Sequence, residues 1–484
     1  MNVLFVFSSH DYHSRRKPLF NANEIHLGIS YISSLLKRHG HGTRLLVLTR
    51  ATSRAVVDEY IAEFKPGLMG FAAVYSEYAF MASIADYVKR QYPRIFLLAG
   101  GPHVSLNPEE CTADAFDALC IGEGEYAVLE LVARLEQGGR PSGIPGVWLK
   151  HDGDIERNPP RPFNEDLDGL PFPDRDMWKP WIAARRLFPS VLLSRGCPFN
   201  CPYCCNHALR RLSTGRYVRH RSPDNIVAEI DELAQTVRDL QRVNLVVETF
   251  ATDETWALDV CRALTQYNAL RAHPLEFGVN LRIGANGNPE PLFEAMQQAN
   301  FKAVSFGIES GSERIRREVL GRNYTNEDVI HWVNLARQRG HRVSFYNMIG
   351  LPGETLADFR KTIAINRQCL PDEHILSIFM PYPGTALHQR AEQAGLLPAR
   401  MDTEMERSRA NLDLPGFSKG QIERSFVWFD YHVYRGHRPL WIILARVLAR
   451  KLKTRPATSG AYRRIRELLS NPLLLFLKEK LMRF

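Results

Sequence analysis

Cys197, Cys201 and Cys204 stand in the run Ser194-Arg195-Gly196-Cys197-Pro198-Phe199-Asn200-Cys201-Pro202-Tyr203-Cys204, a C-x3-C-x2-C spacing with an aromatic residue before the last cysteine. Three thiolates this close cannot all reach one metal ion from a regular strand or helix, whereas a looping chain can wrap them around three corners of a cubane cluster. A 4Fe-4S cluster is usually held by four cysteines. Three would leave one iron open to a small molecule, as a catalytic metal site keeps an open position. A zinc site built from the same cysteines with Cys205 or His207 is the competing reading, although structural zinc sites favour C-x2-C pairs. The 8 cysteines in 484 residues, with no signal peptide at the start, point to a reducing cytosol rather than to disulfides.

The chain exceeds one ordinary core, so two or three domains are expected, and 45% hydrophobic residues make them folded ones. No apolar run approaches the roughly 20 residues of a membrane span. The net charge of +9 is concentrated: residues 431–484 hold 13 Lys and Arg against Glu467 and Glu479. The remainder holds 49 cations against 51 anions, so the body is not a nucleic-acid binder by charge.

Residues 1–145 alternate apolar strands (3–7, 45–48, 68–73, 95–99) with amphipathic helices, one carrying Leu27, Tyr31, Ile32, Leu35 and Leu36, another Phe80, Ile84 and Val88. This predicts an α/β, doubly wound parallel sheet of Rossmann type that binds ligands at its strand carboxyl ends. Gly100-Gly101-Pro102-His103 falls at one such end, where missing Cβ atoms let a bulky ligand approach. Seven prolines (159, 160, 162, 171, 173, 180, 189) mark residues 146–189 as an ordered connector. Strand and helix alternation resumes over 190–395, with strands expected near 243–247, 275–281, 303–308, 343–349 and 375–379. That is a partial (β/α)6 barrel of TIM type, with its chemistry at the strand carboxyl ends. Glu248, Glu309-Ser310-Gly311-Ser312 and Gly350-Leu351-Pro352-Gly353-Glu354-Thr355 lie at such ends.

The cysteine run resembles the signature of radical S-adenosylmethionine (SAM) enzymes, and the Leu27-Gly28-Ile29-Ser30-Tyr31, Gly100-Gly101-Pro102-His103 and Ile121-Gly122-Glu123-Gly124-Glu125 segments resemble the cobalamin-binding domains fused ahead of them. The resemblance implies three cofactors: a 4Fe-4S cluster on Cys197, Cys201 and Cys204, SAM, and cobalamin at the Gly100 and Gly101 edge. It assigns SAM to Tyr203, Glu248, Glu309, Ser310, Ile349 and Gly350, with Arg282 and Arg322 as candidates for the methionine carboxylate. Relatives often carry two acidic residues where Val247-Glu248-Thr249-Phe250 keeps one. The D-x-H-x-x-G motif of methionine synthase type domains is broken here, with Arg16 in place of glycine, so His13 is expected at the surface and not on cobalt.

The implied activity is hydrogen abstraction by a 5'-deoxyadenosyl radical, followed by methyl transfer from cobalamin to an unactivated carbon of a small-molecule or lipid-like substrate. Oxidation, ring closure or rearrangement without methyl transfer is the alternative. A tRNA methylthiotransferase would need cysteines and an RNA-binding barrel that this chain lacks, and no nucleic-acid partner is expected. An electron donor such as flavodoxin or ferredoxin is implied, as is a cytoplasmic location. No catalytic side chain is singled out. The basic helical region at 396–484 carries Trp441, Leu444, Val447, Leu448 and Leu452 among Arg446, Arg450, Lys451 and Lys453, and a second apolar run at 473–477. Two roles are open to it: a cap on the barrel, or a helix lying in a membrane surface.

Overall fold

The computed structural model describes residues 1–9, 12–151, 153–284, 288–455 and 457–462. The first unit comprises β1 (Asn2–Ser8), α1 (Leu27–Arg38), β2 (Gly42–Leu48), α2 (Arg54–Phe64), β3 (Leu68–Ala72), α3 (Tyr75–Gln91), β4 (Phe96–Gly100), α4 (Pro102–Leu106), α5 (Pro108–Cys111), β5 (Ala118–Cys120), α6 (Glu125–Glu136), β6 (Val147–His151) and β7 (Asp154–Arg157). Its strands follow the order β2-β1-β3-β4-β5-β6-β7. The first five are parallel. Val3, Leu4, Phe5 and Val6 are all buried, as befits a strand covered by helices on both faces. β6 and β7 add antiparallel to the edge, so the sheet runs on to Arg157, past the expected boundary at 145.

The proline-rich connector is pinned to both neighbours. Trp178 is fully buried and donates its indole N–H to Ser30 of α1 at 2.8 Å. Asp174 pairs with Lys37 at 2.7 Å, and Arg175 reaches the Ser190 carbonyl at 2.6 Å and the buried carboxylate of Glu229.

The second unit runs β8 (Ser190–Leu192), β9 (Ser194–Arg195), α7 (Asn206–Leu209), β10 (Arg219–His220), α8 (Pro223–Thr236), β11 (Arg242–Val246), α9 (Glu254–Ala269), β12 (Glu276–Leu281), α10 (Glu290–Gln298), β13 (Phe301–Glu309), α11 (Glu313–Glu318), α12 (Asn326–Gln338), β14 (Arg342–Ile349), α13 (Leu356–Cys369) and β15 (Glu373–Ile378). Six strands pair in parallel in the order β8-β11-β12-β13-β14-β15. The two end strands, β8 and β15, do not meet, and the barrel stays open. Local signals start its helices: Ser222 caps α8 by accepting from the Asn225 N–H, with Pro223 in the first turn, and Thr355 with Asp358 forms a capping box on α13.

α14 (Ala386–Gln393), α15 (Lys419–Tyr434) and α16 (Leu440–Thr454) close the described chain. α15 lays Ile422, Phe426 and Phe429 into the core beside β14 and β15. α16 packs through Ile443 and Val447 while Leu440, Trp441, Leu444 and Leu448 face outward. Val447 thus leaves the apolar stripe expected for it. Arg446 and Arg450 turn inward to Asp430, at 3.7 and 2.7 Å. The apolar run at 473–477 lies outside the described residues.

Candidate functional site

The carboxyl ends of the two sheets face each other. Arg195, the last residue of β9, donates to Glu123 in the turn after β5 at 3.1 Å and to Glu125, the first residue of α6, at 2.5 Å. Arg219 adds a 2.9 Å pair to Glu123. On the other side Ser76 donates to Glu406 at 2.6 Å, and the Tyr75 ring meets that of Tyr382 at 6.4 Å. Residues following β3, β4 and β5 therefore oppose residues following β8 and β15.

The cysteine loop lies in this junction. Cys201 is buried and Cys197 and Cys204 are half-buried. Arg282, at the end of β12, donates to the Cys201 sulfur at 3.0 Å while its guanidinium stacks 3.8 Å over Phe199. The backbone and side-chain amides of Asn206 both point at the Cys204 sulfur at 3.5 Å, and Tyr217 holds the Asn206 side chain by donating to its amide oxygen Oδ1 at 2.6 Å. A hydrogen bond from Cys205 lowers the Cys204 thiol to about 6, and the same bond raises Cys205. Burial raises Cys197 to about 11. Glu248 keeps its carboxylate accessible, yet crowding by surrounding protein raises its pKa, opposed by a hydrogen bond from Asn206.

Glu309 ends β13 in the left-handed region, with φ 57° at a break in the β13–β14 register. Such a conformation is uncommon for a residue other than glycine and marks a site the surroundings enforce. Its carboxylate, raised by burial, accepts from Arg322 at 3.1 Å and from the Tyr203 hydroxyl at 3.3 Å. Arg322 is itself buried, bonded to the Gly307 carbonyl and Tyr203, so its charge is spent inside the wall. Arg282, beside Cys201, is the more accessible of the two arginines. Ser310 departs from expectation: it is fully buried, its hydroxyl facing Thr362 at 3.4 Å and accepting from the Ser312 N–H, which leaves no side-chain group at the mouth. Ile349 is buried and its carbonyl accepts from Phe379 at 2.8 Å. Gly350 (φ 82°) donates to Glu354 at 2.6 Å.

In the first unit the glycine pair packs inward. A Cβ on Gly101 (φ 106°) would sit 2.7 Å from the Ala73 carbonyl oxygen, and one on Gly100 would meet the Cys120 side chain. Their missing side chains serve strand contacts, not an open cleft. The open positions on this rim are Gly122, with nothing near a Cβ, and Val74, which is 44% exposed. His103 is buried between Tyr75 and Tyr78, which lowers its pKa to about 4. His13 corrects the sequence reading: it is buried, its ring 5.2 Å from that of Phe20.

Residues 191–364 match the model of the radical SAM superfamily, and residues 21–132 that of the B12 binding domain. The chain thus joins a B12 binding domain to a radical SAM domain. It is 29% identical over 378 residues to an uncharacterized methyltransferase of Pyrococcus horikoshii, covering 77% of this chain and 79% of that one. It is 25% identical over 403 residues to the anaerobic magnesium-protoporphyrin IX monomethyl ester cyclase of Rubrivivax gelatinosus, covering 80% and 70%. Among solved structures it superposes on the radical SAM methyltransferase TsrM of Kitasatospora setae with cobalamin and a [4Fe-4S] cluster bound, at TM-score 0.66 and 19% identity over 91% of this chain and 89% of that one. That likeness speaks to the fold.

The cofactors of a cobalamin-dependent radical SAM enzyme are a 4Fe-4S cluster, SAM and cobalamin, and the donor set here suits them. Three thiols with N–H donors on two of the sulfurs are what a cluster's charged thiolates call for. Val74 and Gly122 leave the rim at the strand ends of the first unit open.

Sequence reading did not single out Asn206, Tyr217, Tyr382, Glu406 or Arg407. Asn206 had a weak signal, being two residues beyond the last cysteine. Arg407 and Glu406 had none, since they reach the site only through the fold.

Proposed function

We propose that the chain methylates an unactivated carbon of a small-molecule or lipid-like substrate. The observation that carries this reading is the opposition of the two strand-end rims, bridged by Arg195 and Arg219 on one side and by Ser76 and Tyr75 on the other. A methyl donor and a hydrogen-abstracting radical are useful to one another only within a shared, enclosed space. When bound, the cluster with SAM supplies the radical and cobalamin the methyl group. The protein's part is to place them. In this reading Cys197, Cys201 and Cys204 hold the cluster, Arg282 and Asn206 offset the thiolate charge, and Glu248 offers an acceptor for the amine of SAM. The backbone around Ile349 and Gly350, together with Glu309 and Tyr203, forms the wall for its adenosine, while the rim from Val74 to Gly122 faces the corrin.

The chemistry needs one electron at a time, which a flavodoxin or ferredoxin would deliver. We also read the outward face of α16 as a peripheral contact with an anionic membrane surface, consistent with a cytoplasmic enzyme that meets a lipid-like substrate there. No helix among the described residues is long and apolar enough to cross a membrane.

The test is anaerobic reconstitution with both cofactors and SAM carrying a deuterated methyl group. A product heavier by that labelled methyl, formed alongside 5'-deoxyadenosine, supports the reading. A product that has only lost hydrogens would replace it with the oxidative or ring-closing alternative, which the likeness to the Rubrivivax cyclase favours.

A further inference from the structure

The barrel's open side is not filled. Along the free edge of β15 runs a groove of about 740 Å³, with Ile375, Ser377 and Phe426 on its walls, Arg446 and Lys453 of α16 at one end and Arg407 at the other. Ile375 is 54% exposed, and on the barrel-facing side of β15 it is a register partner of Tyr346. The Arg407 end reaches the junction described above: Arg407 donates through Nε at 2.9 Å to the hydroxyl of Tyr382, whose ring meets that of Tyr75.

Arg407 is held in a particular way. Its backbone is left-handed at φ 59°, and its carbonyl accepts from Ile378, the last residue of β15, at 2.8 Å. Glu406 Oε1 lies 3.5 Å from Nε and itself accepts from Tyr382, so carboxylate and phenol both occupy the Nε edge of the guanidinium. Among the described residues no acceptor faces either Nη, and the side chain is 61% exposed. A planar fork fixed at one edge and empty at the other is a receptor for a carboxylate or phosphate. The groove carries four cations, Arg407, Arg446, Arg450 and Lys453, against Glu373, Glu406 and Asp430. Of these carboxylates, Asp430 is taken up by Arg450 and Glu406 by Tyr382 and Ser76.

We propose that this groove is the substrate site and that it takes an elongated amphiphile whose single anionic group pairs with the free edge of Arg407 while its apolar body lies along Ile375 and Phe426. The inference leans on the methyl-transfer reading only in calling this ligand the substrate; the binding itself stands apart from that chemistry.

Isothermal titration of the full chain with dodecanoate, dodecanol and acetate tests it. Dodecanoate is expected to bind, dodecanol about tenfold more weakly, and acetate not at all, reflecting one charge-assisted pair added to apolar burial. Arg407→Gln should bring dodecanoate down to the level of dodecanol, Arg407→Lys should restore part of the difference, and Ile375→Trp should abolish binding of both. Trp441→Glu, on the outer face of α16, should change nothing. No binding, equal affinity for dodecanol and dodecanoate, or a loss caused by Trp441→Glu instead of Ile375→Trp would overturn the proposal. None of these outcomes depends on whether the reconstituted enzyme releases 5'-deoxyadenosine or adds a methyl group, so the two readings fail separately.

Discussion

Cys204 and Cys205 are adjacent thiols with opposite surroundings. Two Asn206 amides and the Cys205 S–H converge on Cys204, and the thiolate is the form a metal takes. Cys204→Ala is expected to eliminate cluster absorbance and 5'-deoxyadenosine release, whereas Cys205→Ala should keep both; the reverse pattern in reconstituted protein would shift the ligand assignment by one residue. Glu354 makes a prediction of another kind. It is fully buried beneath the Gly350 turn, and burial raises its carboxyl to about 8 despite the Gly350 and Leu351 N–H donors. A carboxyl raised in the folded state holds its proton where the unfolded chain has lost it. Its burden on stability is therefore absent below the unfolded value near 4.5 and grows by about 1.4 kcal/mol per pH unit up to about 8, then levels off. Melting temperatures measured from pH 5 to 8 should fall more steeply for the wild type than for Glu354→Gln. Parallel curves would mean that Glu354 is ionised throughout.

How far an element could be read from sequence depended on whether its signal was local. β1, β3 and β4 announce themselves by unbroken apolar runs because helices cover both their faces, and α8 by Ser222 and Pro223. β6 and β7 are short, and β7 alone forms the sheet's edge there; it has no buried residue, and nothing in its composition separates it from a loop. His13 is buried with its ring against Phe20 in an irregular stretch that carries no periodic signal, and the inward turn of Ser310 comes from Thr362 on α13, which is not local in sequence. α16 was legible as amphipathic, but which side faces the barrel was decided by Asp430, which draws Arg446 and Arg450 inward. This also changes how its membrane role is best tested. Ending the chain near residue 429 would remove Val433 and Tyr434 from the core, so a surface variant is preferable. Replacing Trp441, Leu444 and Leu448 by Glu should leave the unfolding free energy within about 1 kcal/mol of wild type. It should also abolish sedimentation with phosphatidylglycerol vesicles at low salt. Equal sedimentation of both proteins would assign α16 to capping alone.

At the scale of the whole molecule, two units of separate core must present their cofactors to one another at fixed distance, and the chain does this with charge. Arg195 is the pivotal residue, because it immediately precedes Gly196 and Cys197 and so ties the cluster loop to the first unit through Glu123 and Glu125. Gly196 leaves no room for adjustment: it has φ 83°, and a Cβ there would sit 2.1 Å from the Tyr217 carbonyl oxygen. Arg195 is only 15% exposed and Glu125 only 6%, with the Tyr31 ring 5.2 Å from the guanidinium. Removing one partner of such a pair strands the other charge and costs about 3 to 5 kcal/mol. Arg195→Met with Glu125→Gln removes both and avoids most of that penalty, so the double variant should fold and keep its iron. Its defect should be in coupling: 5'-deoxyadenosine is still released, since the cysteines and the barrel walls are intact, but labelled methyl in the product falls at least about tenfold, because a displacement near 1 Å between reacting groups has effects of that size or larger. Quantifying both products in one anaerobic reaction decides the matter. A parallel fall in the two would show that the bridge supports the cluster loop itself, and an unchanged ratio at full rate would show that the rims are held together without it.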